Sequence, residues 1–360
     1  MTKSLLFVES KPASPELVEE YHRWNDQVHV PEMLTIDGFV SARRWQTDGE
    51  SFVTLYEIDT DVDTARTNVR RGAHDQTRCD RDRTAGGDAL PESGQRADSL
   101  TMTVSLAGKV AIVTGGASGL GQGIVEKFAA AGADVVVADV NDDAGEEVAA
   151  RCGGRAWFRR ADVADAADVE ALVQAAVDRF GRLDVMVNNA GISSKMHKSF
   201  LTADLSDFQH VMSVNVLGVM LGTQAAARHM AEHDGGSIIN ISSIGGLQPG
   251  GGVMTYRASK AAVIHFSKSV ATELAPLGIS VNCIAPGGIP TPILASSVSG
   301  LSPEAMEKFI ERTRAKMRSD RPLPREGTPE DVAEAALYFA TSVTTTGTLL
   351  TVDGGTSART

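Results

Sequence analysis

The chain is poor in the features that would tie it to an oxidising compartment, a membrane or a nucleic acid. Its three cysteines are an odd number without CxxC spacing, so we expect reduced thiols, no disulfide framework and no metal site. No apolar run is long enough to span a bilayer, and the N-terminus lacks a signal-peptide pattern. Positive charge is in deficit, with 34 Lys and Arg against 46 Asp and Glu, which argues against nucleic acid or an anionic membrane as a partner. We therefore expect a cytoplasmic protein.

Composition changes twice along the 360 residues and divides the chain into three parts. Residues 1–69 hold short apolar segments that predict a small α+β unit. Its predicted elements are a strand at Leu5–Val8, a helix at Pro15–Val30, and strands at Phe39–Trp45 and Phe52–Ile58. Residues 70–103 are rich in Arg, Asp, Gly and Gln and almost without apolar side chains, so they predict a disordered linker.

Residues 104–360 alternate apolar strand patterns with helical segments of suitable length. The predicted strands are Val110–Thr114, Val135–Ala138, Val185–Val187, Ser237–Ile241, Ile279–Cys283 and Leu349–Val352. This alternation predicts an α/β fold, a doubly wound parallel sheet with helices on both faces.

A glycine-rich turn follows the first of these strands. Gly115, Gly119 and Gly121 lie between that strand and the helix that follows, with Ser118 and Leu120 among them. Missing side chains let the backbone approach a pyrophosphate, and a helix N-terminus offers it N–H groups. A glycine cluster alone would be an ordinary tight turn, but the strand-to-helix context indicates a dinucleotide site.

An acidic residue ends the next strand. A carboxylate at Asp139 can accept hydrogen bonds from an adenosine ribose and would repel a 2′-phosphate. No basic residue stands inside the glycine turn, where Ser118 lies. The pattern therefore favours NAD over NADP. The alternative is that Asp139 caps the helix that begins near Asp142.

Tyr256 and Lys260 are the pair with the clearest chemical meaning. In a helix, residues four apart share one face. A phenol with a pKa near ~10 is a poor general base at neutral pH, but a neighbouring ammonium favours the phenolate and lowers that pKa. Hydride transfer to or from a secondary alcohol needs a proton partner of this kind.

Taken in order, these motifs resemble the short-chain dehydrogenase/reductase family over about residues 104–356. The segments that carry the resemblance besides the glycine turn are Asn188–Gly191, Asn215, Asn240–Ser243, the Tyr256/Lys260 pair and Pro286–Thr291. The resemblance implies a Rossmann-like fold and NAD-dependent oxidation or reduction of a small-molecule alcohol or ketone. It also implies an oligomer contact near the last strand, so we expect a homotetramer.

The family pattern implies a role for each residue that matches it. Tyr256 would exchange a proton with the substrate oxygen, while Lys260 would bind the nicotinamide ribose and lower the tyrosine pKa. Ser243, thirteen residues before Tyr256, would hydrogen-bond the carbonyl or alcohol in preference to its neighbour Ser242. Asn215 would hold a water that links Lys260 to solvent.

Further matches would bind the dinucleotide or cover the substrate. The dinucleotide residues would be Asp162 and Val163 at the adenine, Asn189, Ala190 and Gly191 along the sugar side, and Ile289 and Thr291, after Pro286 and Gly287, at the carboxamide. The segment from Pro292 to Pro324 would form a substrate-covering loop that excludes water.

Residues 1–69 resemble the ferredoxin-like dimeric α/β barrel proteins in two runs, Trp24–Met33 and Gly38–Arg43. Such proteins close with a second helix and a fourth strand, and here no fourth strand is found before the linker. Trp24 and His29 would either line a small ligand pocket or form a packed helix face.

Three functions stay open from the sequence. The leading one is an NAD-dependent alcohol dehydrogenase or ketoreductase. A second is a sensor that binds NAD without turnover, although a sensor would not need Ser243 and Lys260 as well. In the third, the unit at 1–69 carries a monooxygenase- or cyclase-like activity.

Overall fold

The computed structural model describes residues 4–10, 18–46, 52–58, 105–293 and 302–359. The chain divides into two compact units, Met1–Met102 and Thr103–Thr360. The predicted linker at 70–103 lies outside the described residues. Within the described ranges, no helix is long and apolar enough to cross a membrane.

The N-terminal unit is built on a three-stranded antiparallel sheet with β3 in the middle. Its elements are β1 (Ser4–Ser10), α1 (Val18–Trp24), a π-helical turn (Asn25–His29), α2 (Val30–Met33), β2 (Phe39–Gln46) and β3 (Phe52–Ile58). Phe39, Tyr56 and Ile58 form a small core against which Met33 and Ile36 pack. The three predicted strands are therefore present.

The predicted helix at Pro15–Val30 is present from Val18, but a π-helical turn interrupts its regular geometry. Trp24 and His29 stack on each other with ring centroids 4.8 Å apart, and Trp24 is exposed. A second helix and a fourth strand would follow Ile58, outside the described residues. The resemblance of this unit to ferredoxin-like proteins stays a prediction.

Seven parallel strands form the sheet of the second unit, in the order β10-β9-β8-β7-β4-β5-β6. They are β4 (Val110–Thr114), β5 (Asp134–Asp139), β6 (Ala156–Arg160), β7 (Val185–Asn188), β8 (Gly236–Ile241), β9 (Ile279–Pro286) and β10 (Leu349–Val352). The chain runs outward from β4 through β5 to β6, then returns to place β7 on the other side of β4. In sheets of this kind, ligands bind beyond the carboxyl ends of the strands at that reversal.

Helices cover both faces of this sheet, as the strand pattern predicts. They are α3 (Gly119–Ala130), α4 (Asp142–Arg151), α5 (Ala166–Phe180), α6 (Phe208–Met212), α7 (Gly218–Ala231), α8 (Met254–Leu274), α9 (Pro303–Ser319) and α10 (Pro329–Thr341). Side chains alternate along β4: Ala111 and Val113 join the core cluster of Phe128 on one face, and Ile112 joins that of Leu172 on the other. The fold is a Rossmann-like, doubly wound α/β sheet.

One strand, β6, was not predicted from the sequence. It lies at the edge of the sheet and reads Ala-Trp-Phe-Arg-Arg, with Phe158 buried and both arginines exposed. An edge strand is covered on fewer sides than a central one, so its sequence lacks the long apolar run by which buried parallel strands are found.

Local side chains set several helix ends. Asp165 accepts hydrogen bonds from the Ala167 and Asp168 N–H groups at the start of α5, and Gly181 ends that helix in the left-handed conformation. Thr328 and Asp331 form a reciprocal capping box at the start of α10. Caps of this kind stabilise a helix by ~1 kcal/mol each.

Candidate active site

The glycine turn lies at the carboxyl end of β4, next to the reversal of strand order. Gly115 and Gly119 have φ of +63° and +56°, values that favour glycine. A Cβ at Gly121 would lie 2.5 Å from Asn189 Nδ2, which donates to the carbonyl oxygens of Thr114 and Gly115. The turn is thus tied to the end of β7 as well as to its own strand.

The start of α3 can receive an anion. Ser118 is its N-cap, but the Ser118 side chain makes no capping hydrogen bond, and the residue is exposed. The N–H groups of the first turn are therefore available to a pyrophosphate, which the helix dipole also favours. Leu120 points the other way and packs against the hydrophobic core.

Asp139 lies at the carboxyl end of β5, beside the glycine turn. Its Oδ2 accepts from Ala117 N at 3.1 Å and its Oδ1 from Asn141 N at 3.1 Å. Asn141, not Asp139, caps α4 by accepting from Ala144 N. The capping alternative for Asp139 is therefore wrong.

Asp162 and Val163 continue the same edge after β6, where Ala161 N donates to the Asp139 carbonyl at 3.0 Å. Asp162 Oδ1 accepts from Ala164 N at 2.9 Å. Val163 is buried, and a Cβ at Gly218 would lie 2.9 Å from its Cγ2. Both residues thus lie at the carboxyl edge of the sheet, beyond Asp139 on the side of the outermost strand, β6.

The segment after β7 joins the glycine turn to the catalytic candidates. Thr114 Oγ1 accepts from the N–H groups of Asn189 and Ala190 at 3.0 and 3.1 Å. A Cβ at Gly191 would lie 3.2 Å from Lys260 Nζ and 3.3 Å from Asn215 Oδ1. Asn189, Ala190 and Gly191 therefore lie between the glycine turn and the side chains of Lys260 and Asn215.

Tyr256 and Ser243 are brought together at the carboxyl end of β8. Ser243 is the N-cap of a short 3₁₀ turn and accepts from Gly245 N at 3.0 Å. Burial raises the pKa of Tyr256, while the hydrogen bond with Ser243 and the charge of Arg257 act to lower it. The expectation that the lysine would bring this pKa down is not met in the protein alone, because burial disfavours the phenolate more strongly.

Ser242, the neighbour of Ser243, has a different partner. Its Oγ donates to the Lys260 carbonyl at 2.7 Å, and its side chain is buried. The structure therefore brings Ser243, and not Ser242, to Tyr256, in the arrangement that the sequence spacing favoured.

Lys260 lies one helical turn after Tyr256 on α8, with its Nζ 5.8 Å from the centroid of the tyrosine ring. The side chain is 3% exposed, and its Nζ donates to the Ile241 carbonyl at 2.9 Å. Burial lowers the pKa of Lys260 to about 8. A lysine in this state stays mostly protonated at pH 7 but loses its proton at a lower pH than an exposed lysine.

Asn215 lies in a π-helical turn, Ser213–Leu217, between α6 and α7. Its amide is fully buried: Oδ1 accepts from Ile192 N at 2.8 Å, and Nδ2 donates to Ile192 O and Ser259 Oγ. Wide turns of this type recur at functional sites. Asn215 thus holds the segment after Gly191 in place beside Lys260.

The segment after β9 reaches back to the glycine turn. Pro286 ends the strand, and Gly287 packs so closely that a Cβ there would lie 2.7 Å from Asp353 Cβ. Ile289 is buried in the core, and Thr291 Cβ would lie 3.3 Å from a Cβ at Gly119. The structure therefore brings the predicted carboxamide segment over the start of α3.

Comparison with known proteins gives the family. A family model described as enoyl-(acyl carrier protein) reductase matches residues 115–357. A solved short-chain type dehydrogenase/reductase from Mycobacterium marinum is 35% identical, with a TM-score of 0.63, and the match covers 71% of this chain and 97% of that one. The chain belongs to the short-chain dehydrogenase/reductase family.

Two further members illustrate the likeness. The 2,5-dichloro-2,5-cyclohexadiene-1,4-diol dehydrogenase of Sphingobium indicum is 39% identical over 262 residues, which cover 71% of this chain and 99% of that protein. The 3-ketoacyl-(acyl-carrier-protein) reductase of Brucella melitensis, solved in complex with NADH, is 36% identical, with a TM-score of 0.64, over 70% of this chain and 100% of that one.

As a member of the short-chain dehydrogenase/reductase family, the chain is an oxidoreductase that uses NAD or NADP. Its residues fit such a cofactor, because the positive φ at Gly115 and Gly119 and the uncapped start of α3 leave room and N–H groups for a pyrophosphate. Asp139 lies beside that turn, where its Oδ2 accepts from Ala117 N at 3.1 Å.

Three residues of this short-chain dehydrogenase/reductase site were missed by sequence reasoning. Arg160 donates to the Val140 carbonyl and pairs with Asp142, just beyond Asp139. Arg257 lies against the loop that follows Ser243, and buried Arg321 donates to the Gly288 carbonyl at 2.5 Å. None of the three had a signal in the sequence, because β6, which carries Arg160, was itself not predicted and the other two contacts depend on tertiary structure.

A buried polar network also escaped the sequence analysis. Asn188 Nδ2 donates to Asn240 Oδ1 at 2.9 Å and to Thr223 Oγ1 at 3.1 Å, and Asn240 Nδ2 donates to Ser267 Oγ at 2.9 Å. The signal was present, because an asparagine at the end of each of two apolar strands must find partners when it is buried. The network ties β7 and β8 to the helices that carry the site.

Proposed function

We propose that this protein is an NAD(H)-dependent oxidoreductase that interconverts a secondary alcohol and a ketone, with Tyr256 as the acid/base. The observation that carries the proposal is the placement of Ser243 Oγ and the Tyr256 ring beside the same turn, 3.3 and 3.7 Å from a Cβ at Gly245, with the Lys260 amine 5.8 Å from the centroid of that ring. A nicotinamide bound at this edge supplies the carbon that accepts or releases the hydride.

Tyr256 and Ser243 act on the same substrate oxygen. In oxidation, the Tyr256 phenolate takes the hydroxyl proton while Ser243 donates a hydrogen bond to the forming carbonyl oxygen; in reduction, Tyr256 returns the proton. Because burial raises the pKa of Tyr256 in the protein alone, positive charge around the phenol is needed to hold a phenolate at neutral pH. Lys260 and Arg257 lie where they can supply it.

Lys260 and Asn215 form the inner end of a proton route. They flank the side of Gly191 on which a Cβ would lie 3.2 Å from Lys260 Nζ and 3.3 Å from Asn215 Oδ1. Polar groups facing one small space can bind a bridging water. A water held there by Asn215 would relay protons between Lys260 and solvent.

Asp139 supports NAD over NADP. Its carboxylate accepts from Ala117 N and Asn141 N, so it is held beside the turn that would bind the pyrophosphate. A carboxylate in this place can bond ribose hydroxyls and repels a 2′-phosphate. Arg160 does not offset that repulsion, since it is already paired with Asp142. The Brucella relative was solved with NADH.

The names of two relatives support a substrate whose reacting carbon carries an alcohol or a ketone group. One is a dehydrogenase of a chlorinated cyclohexadiene diol, and the other is a reductase of a 3-ketoacyl group. In this chain, α9 packs against the segment that follows β9, since a Cβ at Gly288 would lie 2.5 Å from Met317 Cγ. We place α9 among the elements that cover the substrate and exclude water from it.

The test replaces Tyr256 by Phe and follows nicotinamide absorbance with NAD and NADP across a panel of alcohols and ketones. We expect kcat/KM to fall about 10²–10⁴-fold, because the proton partner is lost, while NADH binding measured by fluorescence is kept. The matched control is Tyr338→Phe, the same change at an exposed tyrosine that bonds Thr345, which should leave both values unchanged.

Three outcomes would count against the proposal. Turnover that survives Tyr256→Phe would refute the acid/base role. Tight NADH binding without turnover on any compound of the panel would favour a sensor. A preference for NADP would overturn the argument from Asp139.

We also propose a cytoplasmic homotetramer. The segment before and within α6 exposes several large apolar side chains, and such patches mark protein contacts. They are Phe200, Leu201, Leu205 and Phe208, with Leu201 at 94% exposed. Light scattering should give four times the mass of one chain; a monomer would contradict the proposal. The odd number of cysteines supports the cytoplasmic location.

A further inference from the structure

The loop Gln248–Gly252 connects the two residues proposed to act on the substrate oxygen, because it lies between Ser243 and Tyr256 in the chain. Gly250 and Gly251 are adjacent and exposed. Glycine restricts its own backbone less than any other residue, so this loop depends on contacts from outside to keep one conformation.

Arg257 makes the contact at the centre of this loop. Its Nη1 donates to the Gln248 carbonyl at 3.0 Å. A Cβ at Gly250 would lie 2.6 Å from Arg257 Cζ, so the guanidinium occupies the space that a side chain at Gly250 would need. Both contacts come from one planar group, which holds the first half of the loop against α8.

The two ends of the loop are held by other groups. The Gly252 carbonyl accepts from His197 N at 3.1 Å, and Gln248 Nε2 donates to the Thr356 carbonyl at 3.3 Å. Between these fixed ends lie Gly250 and Gly251. Arg257 therefore fixes the part of the loop that its own sequence leaves free to move.

Arg257 also belongs to the surroundings of the Ser243–Tyr256 pair. A Cβ at Gly245 would lie 3.3 Å from Ser243 Oγ and 3.7 Å from both Arg257 Cγ and Tyr256 Cε1. The stem of Arg257 and the ring of Tyr256 thus flank the same turn. The guanidinium charge favours the ionised phenol, against the effect of burial.

We propose that Arg257 is a positioning residue for the proposed reaction, which holds the loop Gln248–Gly252 beside the substrate and keeps a cation next to the Ser243–Tyr256 pair. The inference rests on the proposed function. It assigns Arg257 two separable tasks, one that needs its planar shape and one that needs only its charge.

The experiment compares four variants with the wild-type protein: Arg257→Met, Arg257→Lys, Gly250→Ala and Gly251→Ala. For each, kcat and KM of one alcohol are measured with NAD as a function of pH. Gly250→Ala displaces the guanidinium, whereas a Cβ at Gly251 meets nothing within 4 Å, so Gly251→Ala is the control for adding a methyl group to this loop.

Arg257→Met should raise KM for the alcohol about tenfold, the effect of one lost charge-assisted hydrogen bond. The pH at which oxidation becomes half-maximal should also move upward, because the phenolate loses a neighbouring cation. Arg257→Lys should restore the pH profile and leave KM raised, since an ammonium supplies charge without the planar contact. Gly250→Ala should shift both quantities in the direction of Arg257→Met, and Gly251→Ala should match the wild type.

A second readout keeps the inference separate from the proposed function. The ultraviolet difference between each protein and its counterpart carrying Tyr256→Phe reports phenol ionisation without turnover. Tyr256 should ionise at higher pH in Arg257→Met than in the wild type, even if no substrate is turned over, and thermal melting checks that each variant is folded. The inference is overturned if Arg257→Met leaves both the Tyr256 titration and KM unchanged, or if Gly250→Ala and Gly251→Ala behave alike. A wild-type protein that never turns over would refute only the proposed function.

Discussion

At the carboxyl edge of the parallel sheet, Lys260 is buried and forms no ion pair among the described residues, whereas at the amino edge Asp184 is buried among cations. Burial lowers the pKa of Lys260 to about 8. Burial alone would raise the pKa of Asp184, but hydrogen bonds from Arg182, Val110 N and Lys109 outweigh it and hold that pKa below its usual value. At the carboxyl edge the charge of Lys260 has no partner of opposite sign among the described residues, whereas at the amino edge Lys109 and Arg182 neutralise the charge of Asp184.

This difference separates chemistry from stability within one sheet. A buried charge without a partner of opposite sign is the kind of group that proton transfer uses, whereas a buried charge that is paired and hydrogen-bonded helps to fix the fold. A cavity of about 630 Å³ lies at the amino edge, lined by residues such as Lys109, Asp184 and His229. The two edges thus differ in the charge balance of their buried groups, Lys260 at the carboxyl edge and Asp184 at the amino edge.

Replacing Lys260 by Met should have the largest effect of the variants proposed here, because turnover should fall while the free energy of unfolding rises. Turnover should fall by about a hundredfold or more, because the cation beside Tyr256 is lost. The free energy of unfolding near pH 7 should rise by roughly 2 kcal/mol. The lowering of the Lys260 pKa from 10.5 to about 8 corresponds to roughly 3 kcal/mol of unfavourable burial, which the variant removes. The loss of the hydrogen bond to the Ile241 carbonyl offsets part of that gain. Urea denaturation and the nicotinamide assay measure the two effects. A Lys260→Met protein that is less stable than the wild type would contradict this comparison of the two edges.

Replacing Asp184 by Ala should have the opposite effect at the amino edge. Its carboxylate bonds Val110 N at 2.9 Å and pairs with Lys109 and Arg182, so its loss leaves a buried N–H group unpaired. We expect the free energy of unfolding to fall by about 2–3 kcal/mol. The matched control is Asp134→Ala, which removes an exposed partner of Arg155 at the start of β5 and should cost less than about 1 kcal/mol. Equal losses from both variants would contradict this account.

The smallest expected effect is a pH dependence at His229, on the same amino edge. Burial first and the neighbouring His233 second lower the pKa of His229, whose Nε2 is buried without a partner in the described structure. The two rings stack with centroids 4.1 Å apart. Because the folded pKa lies below the unfolded one, the contribution of His229 to stability is full above about pH 6.5 and is lost as the pH falls below it.

Replacing His229 by Gln should therefore flatten the fall in melting temperature between about pH 7 and pH 5. The control is His265→Gln, at an exposed position on α8. If the wild-type protein and His229→Gln lose stability in parallel on acidification, the burial of His229 has no part in it.

The sequence could predict much of the second unit because central parallel strands are apolar throughout, and because four-residue spacing on a helix places Tyr256 and Lys260 on one face. The preference for Ser243 over Ser242 also followed from spacing. The edge strand β6 could not be found in this way, since only Phe158 of its five residues is buried.

The electrostatics of the site could not be predicted from residue types. A tyrosine four residues before a lysine on a helix suggests a lowered tyrosine pKa, but burial depends on the whole fold and raises that pKa. In the same way, nothing local indicates that Lys260 Nζ bonds the Ile241 carbonyl, or that Arg257 lies against Gly250. These contacts join segments that only the tertiary structure brings together.

The π-helical turn at Ser213–Leu217 has a consequence for the helix that contains it. Successive residues of a regular α-helix are rotated by about 100°, so one extra residue in a turn changes the direction of every side chain that follows. Within the wide turn, Asn215 faces the Ile192 backbone; after the turn, Gly222 faces the sheet, where a Cβ would lie 2.8 Å from Met186 Cε. The wide turn thus lets one continuous helical segment direct Asn215 toward the segment after β7 and Gly222 toward the sheet.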